Sequence, residues 1–172
     1  MRKSIYLLLV VGMLVGMAGC TVSYKTSGAS LSAGEKTISV AYFPNRAPLV
    51  NPILSQELTE KLKDKFISQT SLNMISSDGD ISFEGEITGY DTKPMAITGN
   101  DQTDKAALNR LTITVKVKFI NQKDPKNSFE SQFQAYEDYN SDQGLDAVEG
   151  DLVPLILEKL IEDIFNRSVV NW

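Results

Sequence analysis

LTITVKVKF, residues 111–119, alternates without a fault: Leu111, Ile113, Val115, Val117 and Phe119 fall on one side, and Thr112, Thr114, Lys116 and Lys118 on the other. Successive strand residues point to opposite faces, so this stretch predicts a strand in a sheet that is dry on one face and wet on the other. Upstream, residues 80–90 repeat the pattern, with Ile81, Phe83 and Ile87 on one face and Glu84 and Glu86 on the other. Downstream, Asp124-Pro125 within 121–127 fits a turn. Residues 129–136 then read as a strand pairing antiparallel with 111–119. Further out, residues 37–43 place Ile38, Val40 and Tyr42 on one side of a strand, and Pro44, Pro48 and Pro52 limit its length.

Two segments carry the helical period instead. Asn51-Pro52 suits a helix start, and Leu54, Leu58, Leu62 and Phe66 follow at four-residue steps, with Glu57, Glu60, Lys61, Lys63, Asp64 and Lys65 on the remaining faces. Residues 152–169 carry Val153, Leu157, Leu160, Ile161, Ile164 and Phe165 at the same spacing, with Pro154 in the first turn, where its missing donor is harmless. The order β-α-β-β-β-α predicts an α+β fold, a two-layer sandwich of a four-stranded mixed sheet with both helices packed on its apolar face. Residues 37–172 form this single domain. The polar sheet face, or a sheet edge, is where such a domain would meet a partner.

The amino-terminal end reads as an export signal. Arg2 and Lys3 precede an apolar run from Ile5 to Val15, and Met17-Ala18-Gly19-Cys20 closes it with small residues before the only cysteine. This arrangement predicts a lipoprotein signal peptide at 1–19, cleaved before Cys20, which then carries fatty acyl chains such as palmitate. Each buried methylene contributes about 0.8 kcal/mol, so several chains on one residue hold it to the membrane. Residues 20–36, rich in Ser, Thr, Gly and Ala, read as the lipidated cysteine and a flexible tether. The residue after the cysteine is Thr21, not an acid.

Charge and composition narrow the function. The chain carries a net charge of −5, and loss of Arg2 and Lys3 takes it near −7, with lysines dispersed among acids, which argues against nucleic acid as a partner. There is no histidine, so the commonest general base and metal ligand is missing. Glu84 and Glu86 point the same way on a strand, but nothing places them in an apolar pocket that would raise a pKa, and they read as solubilising groups. No enzymatic chemistry and no cofactor is expected. In DYNSDQGLDAVE, residues 138–149, Asp138, Asn140, Asp142, Asp146 and Glu149 take ligand positions of a calcium loop. However, Gln143 stands where the sharp turn needs glycine, and acids before a helix also complement its dipole, so turn and capping work is the preferred reading. The connection from Tyr90 to Asn109 is long for a compact domain. Lys93, Pro94, Met95, Ile97 and Lys105 within it are candidates for contact with a partner or ligand.

The segments KTISVAYFPNRAPLVNPILSQELTEKLKDKF (36–66), FEGEITGY (83–90), NRLTITVKVKF (109–119) and LIEDIFNRSVVNW (160–172), in that order behind a lipid signal, resemble the lipopolysaccharide-assembly lipoprotein family LptE in its Bacteroides-like branch. The resemblance implies an outer-membrane lipoprotein facing the periplasm, with Cys20 acylated and Thr21 as the sorting residue. It also implies two helices against a four-stranded sheet, a large outer-membrane β-barrel as partner, and lipopolysaccharide as a candidate ligand. The competing reading is a generic lipid-anchored binding module with no barrel partner.

Overall fold

A computed structural model describes residues 34–49, 51–95 and 107–169. The elements are β1 (Thr37–Val40), helix α1 (Leu54–Gln69), β2 (Asn73–Met74), β3 (Ile81–Met95), β4 (Leu108–Asn121), a 3-10 turn (Pro125–Asn127), β5 (Phe129–Asn140) and helix α2 (Leu145–Val169). They form one sheet in the order β2-β1-β3-β4-β5. β1 runs parallel to both β2 and β3, whereas β3, β4 and β5 form an antiparallel meander.

The expected four-stranded sheet is therefore corrected to five strands. The addition, β2, has only two residues, and its pairing comes from Asn73 and Met74 lying beside Thr37 and Ile38 after the chain leaves α1. A two-residue strand is too short to show a period of two. β3 and β4 are also longer than the pattern indicated. They pair as far as Met95 and Leu108, which places Lys93, Pro94 and Met95 in a strand where a loop was expected. Pro94 is tolerated because β1 covers only the first part of β3, so the distal part is an edge.

α2 begins at Leu145, seven residues before the expected start, and Pro154 consequently lies inside the helix. The carbonyl it deprives of a donor belongs to Gly150, which is exposed and within reach of water.

Both helices lie on the apolar sheet face. A chain of aromatic contacts joins the layers: Phe66 of α1 lies 4.8 Å from Phe83 and 5.1 Å from Phe165 of α2. Phe83 lies 4.9 Å from Phe119, which lies 5.2 Å from Phe129. Around them Ile38, Leu54, Leu58, Leu62, Ile87, Leu111, Ile113, Val115, Leu160 and Ile164 are buried.

A register shift between Ile87 and Gly89 leaves Thr88 as an extra residue and reverses the alternation of β3. Odd-numbered residues up to Ile87 face the helices, and beyond the bulge Tyr90 does so. Its hydroxyl reaches inward to the Glu149 carboxylate of α2, which also accepts a 2.8 Å hydrogen bond from Asn51 Nδ2. Asn51 Oδ1 in turn accepts from the Ile53 N–H at 3.0 Å, fixing the entry to α1. Burial, reinforced by the neighbouring carboxylate, holds the Tyr90 pKa well above its usual value.

Candidate contact surfaces

Among the described residues, three surfaces stand open on this framework. The first is the polar face of the meander. Opposite charges neighbour one another across the strands: Glu84 stands opposite Lys118 at 3.4 Å, and Lys116 is bonded to Glu130 on the diagonal. Nearer the distal end, Arg110 grips Asp138 through two hydrogen bonds of 2.7 and 2.9 Å, and its guanidinium stacks 3.6 Å from the centre of the Tyr136 ring. These neighbours raise the pKa of Arg110 and lower that of Asp138. The face neutralises itself locally and offers no excess of positive charge to a phosphate chain. Glu84 and Glu86 line a shallow hollow of about 250 Å³ with lysines on it, and they act there as members of a charge ladder.

The second surface is the distal end of the β3–β4 hairpin. Asp91, Thr92, Lys93 and Pro94 are exposed, and Lys93 forms no ion pair among the described residues. Met95 lies opposite Leu108 on the face that otherwise carries charge, so the end of the hairpin presents an apolar pair there. Thr92 and Tyr139 share a 2.7 Å hydroxyl contact on the helix side. Ile97, Lys105, Cys20 and Thr21 lie outside the described residues.

The third surface is a groove of about 720 Å³ between the outer edge of β5 and α2, lined by Ala135, Tyr136, Leu155 and several carboxylates. Leu155 is half exposed and stands off the buried stripe of α2. Sequence reasoning passed over this surface, although an apolar residue on the polar side of a helix was a visible signal. Glu57, read as a surface residue, is half-buried, and one of its carboxylate oxygens is buried without a hydrogen-bond partner among the described residues.

The residues of the calcium reading are not brought together. Asp138 is engaged by Arg110, and Asn140 ends β5 with its carbonyl accepting from Gln143 N–H at 3.1 Å. Asp142 is exposed in that turn, Asp146 lies in the first turn of α2, and Glu149 faces inward to Asn51 and Tyr90. Among the described residues no three acidic side chains converge as a metal site. Among them, too, no helix is long and apolar enough to cross a membrane.

A two-layer domain whose open features are a charge ladder, a hairpin end and a groove belongs with proteins that act by contact. The match to known families is specific: residues 35–168 fit the model of LptE, described as lipopolysaccharide-assembly, and the chain belongs to that family. An outer-membrane lipoprotein role goes with the family, and its members are not enzymes. No curated protein matches the sequence. Among solved structures, the chain is similar to a hypothetical protein from Chlamydia trachomatis, with a TM-score of 0.53 at 10% identity over 80% of this chain and 99% of that one. It is also similar to a protein from Xanthomonas campestris, with a TM-score of 0.52 at 10% identity over 88% and 92% of the two chains. At that identity the likeness is one of fold.

Proposed function

We propose that this protein supports assembly of the large outer-membrane β-barrel that inserts lipopolysaccharide, and so delivery of lipopolysaccharide to the outer leaflet. In this reading Cys20 carries the lipid, Thr21 directs sorting to the outer membrane, and residues 37–172 face the periplasm as one domain beyond a tether. The chain stands with the Bacteroides-like branch whose segments it resembles. The observation that carries the proposal is the family match across residues 35–168, nearly the whole of the folded part. The hairpin end supports it, since Met95 and Leu108 offer apolar area beside Lys93 and Pro94, with Ile97 and Lys105 close in sequence. Contact with lipopolysaccharide itself would use the same basic residues.

The test is recovery of the native complex. Extraction of the outer membrane in mild detergent, followed by capture of this protein, is expected to bring down a barrel several times its size in near-equal amount. Depletion is expected to leave that barrel misassembled and lipopolysaccharide short of the surface. Recovery of the protein without a barrel, together with normal surface lipopolysaccharide after depletion, would overturn the proposal in favour of a free-standing binding module.

A further inference from the structure

We infer that the groove between β5 and α2 receives an extended, lysine- or arginine-bearing segment of a partner polypeptide, which adds to the sheet as a sixth strand beside β5. The inference stands apart from the barrel reading, because it follows from the groove alone.

The backbone comes first. β5 is the last strand of the sheet, and all twelve of its residues pair with β4, so its outer edge carries the unpaired groups. Their phase is fixed by two contacts. The Tyr136 carbonyl accepts a 3.2 Å hydrogen bond from Lys159 of α2 and therefore points away from β4. The Thr114 carbonyl is directed toward Thr88 on the β3 side, so its pair with Gln134 is a non-hydrogen-bonded one and Gln134 also presents its backbone groups outward. Alternation along the strand adds Gln132 and Glu130 to the free edge. α2 stands beside this edge as a wall, the arrangement in which a peptide strand gains main-chain hydrogen bonds from the sheet and side-chain contacts from the helix.

The groove also has a sign. Glu137 is neutralised by Lys159 at 2.7 Å, and Glu162 is bonded to Lys65. Glu158 and Asp163, both exposed on the wall, have no such partner among the described residues. Leu155 lines the same groove as these carboxylates. The side chains of an added strand that point toward α2 would meet Leu155 and the two free carboxylates, so this set carries the basic residues, while the alternate set would lie beside Tyr136 on the open face of the sheet. An acidic strand would face uncompensated repulsion. Lys159 acts as a guard on the vacant edge, a cation placed where an unwanted strand would begin to pair.

The test uses the full-length chain in a neutral detergent and synthetic peptides of about eight residues that alternate lysine with valine or threonine, a length suited to a typical strand. Fluorescence anisotropy is expected to show saturable binding. A counterpart with glutamate for lysine, and a lysine peptide N-methylated on alternate residues, are each expected to bind about tenfold more weakly. Glu158→Lys combined with Asp163→Lys is expected to weaken the lysine peptide by about tenfold. Gln134→Pro is expected to do the same, because it removes only an outward N–H and leaves the pairing with β4 intact. Lys159→Ala is expected to tighten binding. Equal binding of the N-methylated peptide, or indifference to the Glu158 and Asp163 reversal, would overturn the inference even if Gln134→Pro failed to fold. A stable dimer of the chain that Gln134→Pro dissolves would assign the edge to a second copy and likewise overturn it.

Discussion

Gly85 sits where the loop after β1 crosses the sheet, and a methyl group there would come within 2.3 Å of the Lys116 carbonyl oxygen and 2.5 Å of the Phe43 ring. Neither neighbour can yield cheaply, since one is ladder backbone and the other a fully buried ring. Gly85→Ala is therefore expected to cost about 2 kcal/mol, measurable as a fall in the denaturant midpoint. Asp80 does comparable work with charge. Its carboxylate accepts from Lys36 N–H at 2.9 Å, Thr37 N–H at 3.1 Å and Thr37 Oγ1 at 3.0 Å, and lies 3.2 Å from Lys123 Nζ. These donors, the Lys36 amide foremost, hold its pKa well below the usual carboxylate range. A carboxylate with a depressed folded pKa contributes stability that is complete above the unfolded pKa and is lost as pH falls below it. Thermal melts are expected to show the native chain losing stability below about pH 4, whereas Asp80→Asn starts lower and falls less steeply over that range. Neither role was legible in the sequence. Asp80 reads only as the polar start of a strand, and the residues that give it meaning lie more than forty positions away on either side.

At the scale of elements, legibility followed length. The faultless alternation of residues 111–119 lies inside β4, and the four-residue steps from Leu54 to Phe66 lie inside α1, because one buried face repeats often enough to show. Where repetition stops, the pattern misleads. The bulge at Thr88 reverses β3, so Tyr90 looked out of phase although only 2% of it is exposed. α2 starts early because Glu149 is tied to Asn51 and Tyr90 across the layers, a tertiary constraint that the polar composition of 145–151 conceals. This tie makes a prediction. Tyr90→Phe keeps the packing and removes one buried hydroxyl bond to a carboxylate, and is expected to cost about 1.5 kcal/mol in chemical denaturation at pH 7. A tyrosine with a raised folded pKa stabilises fully below its unfolded pKa and loses that contribution as pH climbs above it. The native chain should therefore lose stability above about pH 10 more steeply than Tyr90→Phe does.

For the whole molecule, the open question is which surface faces the partner, and the fold turns the expected loop into a specific geometry. The hairpin pairs out to Met95 and Leu108, so these side chains stand in a defined register on paired strands. Two conditions must hold for it to anchor a complex: the chain must be held at the membrane, and the apolar pair must be covered. Cys20→Ser tests the first. It is expected to leave the chain unacylated and released from the membrane fraction, and an unmodified Cys20 on membrane-bound native protein, seen by mass measurement, would refute the anchor. For the second condition, Met95→Glu places a charge in the interface, and burying an unpaired charge costs far more than losing a contact. Ile97→Glu extends the test along the same segment. Asp64 is the proper control, because it is exposed on α1 and forms no ion pair among the described residues, whereas Glu57 is half-buried and would report on folding as well. With acylation and the melting temperature of each variant shown to be unchanged, Met95→Glu and Ile97→Glu are expected to cut the barrel recovered with the protein by about tenfold. Asp64→Lys should cut it by less than about twofold. If all three variants retain the barrel equally, the hairpin end is not the contact, and the same retention assay on Leu155→Glu in the wall of the β5–α2 groove becomes the decisive comparison.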